Sequence, residues 1–312
     1  MQLQPALSEA QEIISRLWPA QNFDQLAFGV VDFQTAGQEF FEWGRVESHP
    51  SPHGWYFDLA SVTKPMILGI SYLLRPEIFS PEAILCLEHR GGLPAWGRLS
   101  CDSWREKINS FKITSSPELY SDYSAIRAQL MAEEKLGQSL YTLCRSVHDS
   151  EMCHWTELPK AAVCPVTGTR QGKAVQGKVH DDNAFYIREK VAHAGLFSTI
   201  SGVGKTLLNL QKKTDFLSKM IDYIRAGKSS GHEPRFVRGW DRVQNPETTL
   251  AGKGAGPLTF GHLGFTGTSV WINPEQKLGY ILLTNGTTQY WYAKDNLNTL
   301  RRELGAAVWK LR

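Results

Sequence analysis

The sequence is marked first by what it lacks. No run of apolar residues approaches the length needed to cross a bilayer, so no spanning helix is expected. The opening Met1-Gln2-Leu3-Gln4-Pro5 has neither a basic stretch nor an apolar core, so a secretory leader is not read there. On that reading a cytoplasmic location is favoured, and a periplasmic one stays open for a trimmed chain. Lysine and arginine number 34 against 31 acidic residues, and they are scattered rather than massed. A net charge of +3 without a basic block points away from nucleic acid and anionic membranes. The five cysteines, Cys86, Cys101, Cys144, Cys153 and Cys164, are odd in number and loosely spaced, unlike a disulfide framework. Cys144, His148, Cys153 and His154 cluster in sequence, but their irregular spacing does not form a zinc pattern, and no metal or other cofactor is expected. The Gly-x-Ser-x-Gly elbow of Ser-His-Asp hydrolases is missing. Gly202-Val203-Gly204-Lys205-Thr206 lacks the longer frame of a P-loop.

What is present is a chain of 312 residues, 42% hydrophobic, long enough for a large core. Helical spacing at Leu7, Ile13, Ile14, Leu17 and Trp18 predicts a first helix over residues 7–18, stopped by Pro19. A hairpin follows, Leu26–Phe33 returning through Glu39–Gly44. Starting with a helix and an antiparallel pair argues against a doubly wound parallel sheet. The middle of the chain reads as helices broken by Pro76, Pro81 and Pro94, with a helix from about Ser124 to Lys135. Residues 156–183 read as a long loop, of the kind that walls a cleft or merely crosses the surface. Gly227–His232 reads as a linker. Strands are expected at Phe236–Asp241, Gly267–Ile272 and Leu278–Asn285, and a last helix from Ala293 to Trp309. The fold class is therefore α+β: an antiparallel sheet flanked by the terminal helices, with a mainly helical inserted region. One domain is expected over residues 1–312, its sheet region at 20–60 and 235–312 and its helical region at 61–234.

The stretch that organises this layout is Asp58-Leu59-Ala60-Ser61-Val62-Thr63-Lys64. Ser61 and Lys64 are three residues apart at a helix start, so they share one face. A helix start also offers unpaired N–H groups and a dipole that favours negative charge, which suits a nucleophile becoming an oxyanion. The same spacing fits an ordinary capping serine beside a solvated lysine. Further on, Tyr120-Ser121-Asp122 sits between helical pieces, where a tyrosine either enters a cleft or closes a helix end.

Taken in order, Ser61-Val62-Thr63-Lys64, Tyr120-Ser121-Asp122 and His262-Leu263-Gly264 resemble the motifs of the serine beta-lactamase and penicillin-binding protein superfamily. With their flanks they are most similar to its class-C-like branch, which includes esterases and D-amino-acid peptidases. The resemblance covers roughly residues 25–310 and implies acyl transfer through a serine ester. It implies that Ser61 is the nucleophile, that Lys64 holds charge or takes the serine proton, and that Tyr120 shuttles protons. His262 and Asp122 would support them, the backbone N–H groups of Ser61 and Phe265 would form the oxyanion hole, and Leu263 and Gly264 would line the cleft. His193 is read as structural. Asp122 departs from a common asparagine and Leu263 from a common threonine or serine. A carboxylate accepts but does not donate, and leucine offers no hydroxyl. Both changes weaken the case for a beta-lactam or a D-alanyl-D-alanine terminus and suit an ester or amide with an uncharged acyl side. The small-molecule partner expected is an ester, an amide or a cell-wall fragment. A D-amino-acid peptidase, a weak beta-lactamase and a catalytically idle binding protein remain as alternatives. Nothing in the sequence speaks to oligomeric state.

Overall fold

The computed structural model of the chain describes residues 3–44, 54–229, 234–289 and 292–312. Its centre is a seven-stranded antiparallel sheet. Across the sheet the strands run Gly37–Gly44, Gln25–Asp32, Leu278–Thr284, Ser269–Asn273, Phe260–Leu263, Trp240–Arg242 and Phe236–Val237. Early and late strands are direct neighbours: Leu26 lies opposite Thr284 and Asp32 opposite Leu278.

Side chains on a strand alternate between faces, and here both faces are buried. Leu26, Phe28 and Val30 point to one core, whereas Ala27 and Val31 point to the other. Leu278, Tyr280 and Leu282 face the first core, and Ile281 and Leu283 the second. That explains the near-continuous apolar runs of the central strands. The first core is closed by the terminal helices. Helix Gln4–Leu17 contributes Ala6, Leu7, Ala10, Ile13 and Ile14, and helix Asp295–Trp309 contributes Leu297, Leu300, Leu304, Ala307 and Val308. Both sets recur at three- and four-residue spacing, the stripe of a helix lying on a surface. The other core joins the sheet to the mainly helical region, including helices Asp122–Leu136 and Ile200–Thr214.

Three local readings are corrected and one missed strand is added. The stretch 156–183 is not a plain loop: it holds a hairpin, Val166–Arg170 with Lys173–Gln176, turned by Gln171 and Gly172 at positive φ. The expected single strand at Phe236–Asp241 is two short strands, because Arg238 (φ +50°) and Gly239 (φ +87°) reverse the chain between them. Phe260–Leu263 is a strand in its own right. Gly227 lies within helix Phe216–Ser229, and the rest of that supposed linker falls partly outside the described residues. Among the described residues no helix is long and apolar enough to cross a membrane. Of the four residues weighed for zinc, Cys144 donates to the Ile67 carbonyl and the His148 ring bonds the Met66 carbonyl, and among the described residues no group of three or more His, Cys, Asp or Glu side chains could hold a metal ion.

Candidate active site

The site begins at a strained turn. Ala60, the residue before Ser61, has φ +46°, a left-handed conformation rare for a residue with a side chain. The Asp58 carboxylate holds that turn. One oxygen accepts the Ala60 N–H at 2.8 Å, and the other accepts the His180 N–H at 2.6 Å. Burial pushes the Asp58 carboxyl up to about 7, against the pull of those two donors. A 3₁₀ turn, Ala60–Val62, then passes into a π-helical segment, Pro65–Gly69, before regular helix resumes. The expected α-helical start is thus wound unevenly, a feature common at functional sites. Pro65 has no N–H to give and stands first in its segment.

On this frame Lys64 is buried. Its ammonium donates to Ser61 Oγ at 3.0 Å and to the His193 carbonyl at 3.1 Å, and it forms an ion pair with Asp122 Oδ1 at 2.7 Å. Burial works to lower the Lys64 pKa, but Asp122 and Tyr120 outweigh it and hold it above the ordinary value. Lys64 is therefore a cation at rest. Its ammonium also lies 4.9 Å from the centre of the Tyr120 ring. The Tyr120 hydroxyl faces both Lys64 and Ser61. Burial raises its pKa and Asp122 adds to this, more than Lys64 and Ser61 lower it, so Tyr120 rests as a neutral phenol.

The strand Phe260–Leu263 forms the opposite wall. The His262 ring donates from Nδ1 to the Leu263 carbonyl at 2.7 Å, and its Nε2 has no partner among the described residues. Burial, with Lys64 nearby, brings the His262 pKa down to about 3, so the ring is neutral. Gly264 follows at a close approach: a methyl there would sit 2.6 Å from the Leu59 carbonyl. The Phe265 and Ser61 N–H groups make no backbone hydrogen bond among the described residues. We expect Gly264→Ala to push this wall off the Ser61 turn and lower kcat/KM for an ester about a hundredfold. Unchanged steady-state kinetics would show that the wall has room to spare.

The sequence-chosen residues Ser61, Tyr120, Asp122, His262, Leu263, Gly264 and Phe265 all line one cavity of about 790 Å³, with Lys64 beneath it. His193, read as structural, is part of its floor: the carbonyl receives Lys64, and ring Nε2 donates to Asp181 at 2.9 Å. Sequence reasoning missed the cationic side. Lys294, Asn298 and Arg301 line the same cavity. Arg301 donates to Asn298 at 3.0 Å and to the Thr268 carbonyl at 3.0 Å. Lys294 donates to the Phe265 carbonyl at 2.7 Å. Among the described residues neither cation has a carboxylate partner in a salt bridge. Burial brings Arg301 down to about 10 and, with Arg301 nearby, Lys294 to about 8. An Asn-x-x-Arg spacing on an amphipathic helix was the available signal, and it is a faint one.

A family model described as Beta-lactamase matches residues 87–303. An N-acetylmuramyl-L-alanine amidase of Bacillus subtilis is 35% identical over 119 residues, which is 36% of this chain and 26% of that protein. A putative D-alanyl-D-alanine carboxypeptidase of Escherichia coli is 34% identical over 116 residues, 35% of this chain and 26% of the other. The chain thus matches about a quarter of the length of these curated relatives. Among solved structures, a class C beta-lactamase superposes with TM-score 0.66 at 12% identity, covering 97% of this chain and 98% of that one. The D-alanine carboxypeptidase AmpC of Burkholderia cenocepacia gives TM-score 0.62 at 13% identity, covering 96% and 99%. At such identities these likenesses speak for the fold alone.

Proposed function

The chain belongs to the beta-lactamase family, and we propose that within it the protein is a serine hydrolase cleaving small esters or amides through an acyl-enzyme. The observation that carries this is the convergence of Ser61, Lys64 and Tyr120, with Lys64 Nζ 3.0 Å from Ser61 Oγ. Ser61 Oγ attacks the carbonyl carbon. A neutral phenol both accepts and donates, so Tyr120 takes the serine proton while its own passes to the leaving oxygen or nitrogen. Lys64, already charged, steadies the negative charge that grows on Ser61 Oγ as its proton leaves rather than acting as the base. The N–H groups of Ser61 and Phe265 receive the carbonyl oxygen as it becomes an oxyanion. Water then replaces the leaving group, and the same relay runs in reverse to free the acid and Ser61.

The cationic wall refines the substrate class. Leu263 and Asp122 favour an uncharged acyl side, but Lys294 and Arg301 stand beside the same cleft without an acidic partner in a salt bridge among the described residues. A charge-assisted hydrogen bond contributes about 1.5–3 kcal/mol, as much as the missing hydroxyl could have given. Asp122, Asp181, Asp182 and Asp241 also line the cavity, and Arg301 is buried with both terminal nitrogens bonded, so the reading of a substrate carboxylate rests on Lys294. A peptide-like cell-wall fragment has that chemistry, in keeping with the amidase and carboxypeptidase names of the relatives.

The test compares kcat/KM for p-nitrophenyl butyrate, a D-alanyl-D-alanine peptide and benzylpenicillin, each divided by its uncatalysed rate. A carboxylate substrate is expected to lead. Lys294→Ala should then lower the carboxylate substrates about tenfold and leave the neutral ester unchanged, the factor being one charged hydrogen bond. Leu263→Thr should favour the carboxylate substrates alone. If the neutral ester leads after normalisation, the enzyme is an esterase and the cations serve the fold.

A further inference from the structure

We propose that His89 is a positioning residue for Tyr120, gripping the backbone on both sides of it and packing against its ring. The inference rests on the reading of Tyr120 as the proton carrier, and goes beyond it by naming what holds the phenol in place. Tyr120 lies outside any helix or strand, just before helix Asp122–Leu136, so no backbone ladder fixes it. The two flanking N–H groups instead go to one residue. Leu119 donates to the His89 carbonyl at 2.9 Å, and Ser121 donates to His89 Nδ1 at 3.1 Å. The His89 ring lies 4.7 Å from the Tyr120 ring, centroid to centroid, and 4.5 Å from that of Phe236. Phe236 closes the group at 5.5 Å from Tyr120, and its short strand is tied back by Glu118, which accepts the Arg235 N–H at 2.9 Å. Ser121 adds a second anchor, donating its hydroxyl to the Pro94 carbonyl at 2.6 Å and accepting the Ser124 N–H at 2.9 Å.

The demands on position 89 are unusual in combination. Its φ is +57°, a region in which histidine, asparagine and aspartate are enriched among residues with side chains. Its side chain must present an acceptor to Ser121 and a flat ring to Tyr120. Asparagine meets the first two demands without the ring, and phenylalanine meets only the last. The ring is buried, which with the charges of Lys64 and Arg235 disfavours a proton on it, so Nδ1 stays free to accept.

The test is a double-mutant cycle on p-nitrophenyl butyrate hydrolysis, with His89→Phe and His89→Asn each combined with Tyr120→Phe. Loss of the grip displaces the phenol without touching the substrate. We expect His89→Phe to lower kcat about tenfold to a hundredfold with KM nearly unchanged. His89→Asn should lose less. In the Tyr120→Phe background either change should alter kcat less than about twofold, since residues acting through one group are not additive. Melting temperatures of all variants accompany the kinetics. If His89→Phe fails to fold, the His89→Asn cycle decides. Additive losses, or a rise in KM with kcat intact, would overturn the proposal while leaving the Tyr120 role standing. Full activity in Tyr120→Phe would overturn both.

Discussion

Ser61→Ala should abolish covalent labelling by a fluorophosphonate and lower ester turnover by about 10⁴-fold or more, the scale on which removal of a serine nucleophile acts. The fold should be indifferent to the change. Lys64 keeps its bonds to Asp122 and the His193 carbonyl, and the Ala60 turn is held by Asp58, not by the serine hydroxyl. The variant should therefore melt within a few degrees of the parent, and a crystal or solution probe of the cavity should see it intact. Mass spectrometry of the labelled parent should place the adduct on the peptide containing Ser61. Turnover at the parental rate by the alanine protein would reject the acyl-enzyme outright.

Lys64→Met is expected to have the second largest effect, and it differs in kind. From sequence alone the lysine reads either as a cleft residue holding charge, whose loss would spare the fold if it points into the cleft, or as a solvated side chain. In the structure its side chain is only 2% exposed and paired with Asp122. Removing one partner of a buried ion pair costs about 3–5 kcal/mol, because the other charge is stranded. Here Asp122 keeps 17% of its side chain exposed to water, so the low end applies. We expect kcat to fall about 10³-fold, in the range of a lost acid–base or charge-stabilising group. We also expect a lower melting temperature. Lys64→Met with Asp122→Asn should restore most of the melting temperature and none of the activity. Recovery of activity in the double variant would show that Lys64 serves the fold alone.

The parts legible in the sequence are those governed by local rules. Helical spacing in Gln4–Leu17 and Asp295–Trp309, and apolar runs at Gln25–Asp32 and Leu278–Thr284, reveal elements whose type depends on burial alone. Ser61, Lys64 and Tyr120 are legible because two share a helical face and the third follows in a recognisable order. Short elements are not. Phe260–Leu263 has only four residues, with Gly261 and His262 at its centre, and exists because two neighbouring strands pair with it. The Gln171-Gly172 turn hides in a stretch rich in glycine and proline. Lys294, Asn298 and Arg301 look like the polar face of a surface helix, and only the packing of that helix on the sheet turns them towards the cavity. His89 sits in a glycine-rich turn, and its importance depends on the chain returning thirty residues later.

The pairing of Leu26 with Thr284 has a consequence for how the molecule is made. The hairpin of Gln25–Asp32 and Gly37–Gly44 leaves the ribosome early, yet its inner strand has no second neighbour until Leu278–Thr284 has been synthesised. Both faces of that inner strand are apolar, and although helices Gln4–Leu17 and Ile200–Thr214 are made before Leu278–Thr284 and can cover them, its second edge stays unpaired until then. Pairings so distant along the chain are slow, since loop closure must precede any reward from contact. Until Leu278–Thr284 is made, the nascent protein therefore carries an open strand edge, the situation in which chains aggregate or engage chaperones. Refolding from denaturant should be slow and concentration-sensitive for the same reason.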